Sequence, residues 1–272
     1  MANPILNPKA LDGAFGSWQR EQRNPSVPSY PSVRPIDDGP VSRYRTGLMT
    51  MEGTARRTLI LFAVLVVAAV AGWSVVETGE DGTVSAFPVW IFVPALLAFV
   101  LALVTAFKPA VARFTAPVYS VCQGVFLGAV SHVYESAYNG IVVQALLGTA
   151  GVFAAMLFLY SQRIIKVTDR MRRMVIAATM GIAAIYLVGL VARLLGADIA
   201  FLSDASALGL LFSLVVVGVA SFNLLLDFDL IERSVAQGAP RELEWYAAFG
   251  LMVTVVWLYL EILRLLSRLN RR

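Results

Sequence analysis

Seven stretches of this chain run for about twenty residues each with almost no charge, and short polar or charged segments separate them. The hydrocarbon core of a bilayer is about 30 Å thick and takes about 20 residues of helix to cross. The pattern therefore predicts spans at 58–76, 87–107, 115–134, 140–161, 173–195, 206–227 and 246–266. These runs are too long and too uniformly apolar for the alternating strands of a membrane barrel, and lipid offers no partner to an unpaired backbone group. Helix is the form left open to them. The expected fold class is an all-α membrane protein, a bundle of seven transmembrane helices.

Ahead of the first span the pattern stops. Residues 1–46 are rich in Pro, Ser, Asn, Gly and Arg, with no sustained helical or strand period, which predicts a disordered, basic cytoplasmic tail before a membrane domain over 47–272. The proline-bearing part, Pro25 to Pro35, reads as a spacer or a peptide ligand. Met49 to Arg57 is polar with helix potential and is expected to lie on the membrane surface. The first long apolar run begins only near Thr58, so no cleavable signal peptide is legible and the first span is expected to stay in the protein.

Composition agrees with this picture. Apolar residues make up 58% of the chain, against roughly 45–50% in a soluble domain, more than one core hides. The net charge of +4 is concentrated in the tail and a few links, which speaks for membrane orientation rather than nucleic-acid binding. Lys108 and Arg113 follow the second span, and Arg163, Lys166, Arg170, Arg172 and Arg173 follow the fourth, placing those links and the N-terminus in the cytoplasm. Glu77, Glu80, Asp81, Glu135, Asp198 and Asp204 mark the outer links. Seven crossings put the C-terminus outside, yet Arg264, Arg268, Arg271 and Arg272 crowd it. Either the last helix crosses against the charge rule, or it does not cross fully.

An ionised side chain at membrane depth costs roughly 2.5–3.5 kcal/mol on insertion scales, so each asks for a partner or a task. Three carboxylates qualify: Asp227, Asp229 and Glu261. The first two close the sixth span, with Asn223 and Asp227 on one helical face. Glu261 lies deep in the seventh, where Thr254, Glu261 and Arg268 recur every seven residues as a single polar stripe that should face the bundle interior. Two readings stay open. In one, Asp227 and Glu261 meet inside the bundle and share a proton or a cation, since two close carboxylates do not both ionise cheaply. In the other, the aspartates are helix-end residues at headgroup level and Glu261 pairs with Arg264 on the next turn. Oxygen ligands without thiol or imidazole suit Ca²⁺, Na⁺ or H⁺ rather than zinc or copper, which makes Asp227 and Glu261 candidate ligands of a transient Ca²⁺.

The remaining polar features carry less. Cys122 is the sole cysteine and His132 the sole histidine, so neither an internal disulfide nor a thiol or imidazole metal cage is open to one chain. His132 and Glu135 read as a wetted helix end, or as a proton or ion entrance. Gly124 and Gly128 form a small-residue pair suited to close helix packing. The cluster Arg163 to Arg173 suits topology or anionic lipid. No Ser–His–Asp order, HExxH or glycine-rich phosphate loop is present, so no enzyme and no bound cofactor are expected.

Several segments together resemble the Bax inhibitor and YccA-like membrane proteins. They are the DFDLI at Asp227–Ile231 and the WLYLEILRLL at Trp257–Leu266, within a seven-span layout. The MTMEGT at Met49–Thr54, Val118 to Ser120 and the EWYAAFG at Glu244–Gly250 look like the bacterial, actinobacterial-type branch. An excess of Arg over Lys and abundant Ala and Val fit a bacterial genome of high GC content. The resemblance covers roughly residues 45 to 270. It implies a bundle with the seventh helix at its centre, in the cell membrane, and a pH-sensitive acidic pair gating a Ca²⁺ leak. Asp227 matches the first acid and Glu261 the second, and the basic residue that can pair with the helix-six acid falls closest to Lys108. Glu261 follows Asp227 by 34 positions (227 to 261), which requires an enlarged link around Gly238 and Pro240 or a sixth helix that runs on. Two functions are consistent with this likeness. One is a pH-sensitive cation leak or exchanger, and the other is a non-transporting protein that binds a membrane partner such as a protease.

Overall fold

The computed structural model describes residues 47–78, 84–86, 88–196 and 206–271. The tail at 1–46 and the acidic residues Glu80, Asp81, Asp198 and Asp204 lie outside the described residues. Seven long helices follow in order: α1 Met51–Ser74, α2 Phe92–Phe107, α3 Ala112–Ala137, α4 Ile141–Ser161, α5 Asp169–Leu194, α6 Ala207–Ala236 and α7 Leu243–Asn270. All seven are long and apolar enough to cross a membrane. Between α1 and α2 a short antiparallel pair forms from β1 Glu77–Thr78 and β2 Val84–Ala86. Single 3₁₀ turns at Val89–Ile91 and Pro109–Val111 lead into α2 and α3.

Most of the helices extend past the apolar runs, because their charged ends are paired on the protein rather than left in lipid. α1 begins at Met51 with Thr50 as its cap, the hydroxyl oxygen accepting from Gly53 N at 2.9 Å. Residues 51–57 are thus the first turns of α1, so the helix potential of this polar stretch is realised as a continuous lead into the first span. A buried carboxylate fixes this end. Glu244, at the start of α7, accepts from Thr50 N at 2.9 Å and from Arg57. α6 likewise does not close at Asp227 but runs on to Ala236, since Asp229 and Glu232 both find cations. That extension accounts for the long separation of the two acids.

α7 is the central helix. It packs against α1, α3, α4 and α6, whereas α2 packs mainly on α3 and α5 on α6. Leu258, Leu263 and Met252 of α7 are fully buried with Leu61 of α1 and Leu224 and Leu225 of α6. α1 and α3 approach most closely where Gly124 and Gly128 face Leu65 and Ala69; a Cβ on Gly128 would overlap the Ala69 carbonyl. The flanks turned away from the core carry Phe99, Leu187 and Leu190, exposed as lipid-facing side chains are.

The direction of the last helix is settled by its two ends. Glu244 touches the start of α1, and Arg268 and Arg271 touch the start of α6 and Tyr138 just after α3. At 1.5 Å per residue, its 28 residues span about 42 Å, so α7 crosses the whole bundle. Its terminal arginines are tolerated there because Arg264 holds Glu261, and Arg268 donates to Gly209 O and to Ser213 Oγ at 2.8 Å.

Candidate functional site

The ionisable residues of α5, α6 and α7 form a line through the bundle. It starts at the face that carries the basic links. There Arg172 of α5 donates to Asp229 at 2.6 Å and Arg233, one turn along α6, donates to it at 2.9 Å. Glu232 beside them takes Tyr160 and Arg163. Asp229 is therefore an anchor tying α5 to α6. Lys108 is exposed in the turn between α2 and α3 and makes none of the described ion pairs. The cations at Asp229 come from α5 and from α6 itself, and that at Glu232 from the link between α4 and α5, while α2 packs mainly on α3.

Deeper in, Asp227 points toward α7. A Cβ on Gly250 would sit 4.0 Å from its Oδ1, and the Thr254 hydroxyl, which donates to Gly250 O at 3.2 Å, is also within its reach. Asp227 Oδ2 is buried with no hydrogen-bond partner, the one such side-chain atom among the described residues. Asn223, one turn earlier, donates to Thr179 of α5 at 2.8 Å, which continues the line.

Glu261 lies further along. Seven residues separate it from Thr254 (254 to 261), about 10 Å of helix. Its carboxylate accepts from Tyr186 of α5 at 2.9 Å, from Trp257 Nε1 at 3.2 Å and from Arg264 at 2.8 Å. Arg264 also donates to the Tyr186 hydroxyl at 2.6 Å and stacks over its ring. Asp227 and Glu261 are thus not brought together, which corrects the reading in which they share one proton or cation. The i,i+3 partnership with Arg264 is the arrangement found. The heptad stripe does face inward: Thr254 meets Asp227, Glu261 meets Tyr186, and Arg268 meets Ser213.

Several functional neighbours were not singled out from sequence. Arg233 was legible as an i,i+4 partner of Asp229. Tyr186 and Thr179 are ordinary positions in an apolar helix until α5 is docked on α6, and Arg172 read only as one of a basic cluster. The weaker candidates resolve structurally. Glu135 caps α4, accepting from Gly140 N at 2.6 Å and Val142 N at 3.0 Å. His132 bonds Trp73 O at 2.8 Å and stacks on its ring. Cys122 is a half-buried free thiol. Among the described residues no three acidic, histidine or cysteine side chains gather to hold a metal.

Comparison with known protein families matches residues 3–271 to the family described as Bax inhibitor 1 like. No curated protein and no solved structure matches the chain. With the match covering nearly the whole sequence and seven membrane-spanning helices beneath it, the chain belongs to the Bax inhibitor 1 like family of multi-pass membrane proteins.

Proposed function

We propose that this protein is a pH-responsive cation pathway, for Ca²⁺ before other ions, running along the polar line between α5, α6 and α7. The observation that carries the reading is Asp227, whose Oδ2 is buried without a partner. An ionised carboxylate left so costs several kcal/mol, and either a proton or a cation removes that cost. Asp227 is then the group at which proton and cation compete, and its hard oxygens suit Ca²⁺. Glu261 acts at a second level of the same path, held by Arg264 and Tyr186, so the two acids work in series rather than as a pair. Asp229 and Lys108 play no direct part: the first anchors α5 and the second faces outward.

The basic links Lys108 to Arg113 and Arg163 to Arg173 support a cytoplasmic α1 start, and the reading sets the pathway in the plasma membrane of a bacterial cell. The chemistry here is passage and protonation, not turnover of a substrate.

The test is Ca²⁺ influx into dye-loaded liposomes holding the purified chain, across acidic to mildly alkaline pH, beside Asp227→Asn and Glu261→Gln. Flux that varies with pH in the wild type and loses that variation in Asp227→Asn supports the pathway. Unaltered flux and pH response in both variants rejects it. Folded wild-type protein that moves no ion at any pH would point instead to an interaction role toward a membrane partner.

A further inference from the structure

A cavity of about 640 Å³ lies on the other side of α7, between α1, α3 and α4. Its floor is buried: Leu127 and Ser131 of α3, and Val256 and Tyr259 of α7. Its walls are the exposed flanks of α1 and α4, with Val66 and Val70 facing Leu146 and Ala150. The slot therefore opens sideways, and its mouth is continuous with the apolar surface that the bundle turns to the bilayer.

The polar atoms in its lining are few, and its hydroxyls bond within the protein. Ser131 and Tyr259 hydroxyls bond each other at 2.7 Å, and Thr149 donates to Ala145 O at 2.7 Å. Water held in such a space needs two to four polar partners, and so apolar a wall favours an apolar occupant. Its lining on α1 runs from Phe62 to Trp73, roughly 16 Å of helix, which is about half the 30 Å hydrocarbon core. This half is the one away from the basic links, because α1 enters from that face and Trp73 is near its far end. At the rim, Trp73 stacked with His132 forms the amphipathic aromatic pair expected at headgroup depth.

We infer that this slot is a lipid-binding site that takes one acyl chain from the leaflet opposite the basic face, with its headgroup at the Trp73–His132 rim. Dimensions, apolar lining and lateral opening all match a single chain. The site is separate from the polar line, so lipid binding and ion flux are tested independently.

The experiment reconstitutes the full chain in vesicles of phosphatidylcholine bearing a nitroxide near the chain end, and reads the motionally restricted fraction by electron spin resonance. Val66→Phe and Ala150→Phe fill the slot from opposite walls, and Val93→Phe adds the same bulk on the exposed flank of α2. The restricted component should fall by about one lipid per chain in each filled variant and stay at the wild-type level in Val93→Phe. An unchanged component in filled variants with wild-type circular dichroism would overturn the site. Should both filled variants fail to fold, wild-type protein with brominated-chain lipid decides. Trp73 emission, taken as the difference from Trp73→Phe, should be quenched, and unquenched emission overturns the proposal.

Discussion

Replacing Arg264 by Met leaves the Glu261 carboxylate in place and removes its cation. The Glu261 side chain is 2% exposed and the pair is 2.8 Å apart, so at an effective dielectric of about 20 their attraction is roughly 6 kcal/mol. Desolvation of both ions offsets part of that, and removing one partner of a buried pair typically costs about 3–5 kcal/mol. Tyr186 at 2.9 Å and Trp257 at 3.2 Å still donate to the carboxylate, so the loss belongs at the low end, about 3 kcal/mol. For a chain of this size each kcal/mol moves the unfolding midpoint by roughly 2–4 °C. Thermal unfolding of purified Arg264→Met in detergent, followed by circular dichroism and size exclusion, should therefore fall about 6–12 °C below wild type. The double variant Glu261→Gln/Arg264→Met no longer strands a charge and should recover at least ~1 kcal/mol relative to Arg264→Met. A single variant within about 2 °C of wild type, or a double variant that loses the sum of the two single effects, refutes the reasoning.

Other consequences follow from the packing. Gly128→Ala forces a methyl onto the Ala69 carbonyl and should cost about 1–3 kcal/mol. Gly151→Ala meets open space and should be neutral or gain up to ~1 kcal/mol from helix propensity, so denaturation midpoints of the two should separate. Glu244→Ala takes the acceptor from Thr50 and Arg57 and should lower stability by about 3–5 kcal/mol, with Arg57→Met losing less because Glu244 keeps the Thr50 donors. Asp229→Asn frees two half-exposed arginines, worth about 1 kcal/mol overall, and should speed amide exchange in the first turns of α5 more than anywhere in α7.

What the sequence made legible was set by the bilayer. Seven apolar runs mark seven spans because lipid admits no other form, and the inward polar stripe on α7 is visible because Thr254, Glu261 and Arg268 recur every seven residues in a largely apolar helix. The helix ends were misread for the same reason. Hydropathy stops at the first charges, whereas α6 continues past Asp227 once Arg172 and Arg233 neutralise Asp229. The level of each acid was not legible, since it depends on how α6 and α7 slide past one another, and that is set by packing such as Gly250 against Asp227. Tyr186 escaped notice because nothing in an apolar helix says which of its residues will face a carboxylate 75 positions away (186 to 261). The slot between α1 and α4 left no mark at all, as its lining reads as ordinary span.

The account turns on Asp227, the buried carboxyl whose Oδ2 lacks a partner. The most direct measurement is Ca²⁺ influx against pH for Asp227→Asn beside wild type, in liposomes with equal amounts of folded protein. A wild-type flux that changes with pH and an Asp227→Asn flux that is flat across the same range is the predicted result. An Asp227→Asn profile that follows the wild type at every pH contradicts it.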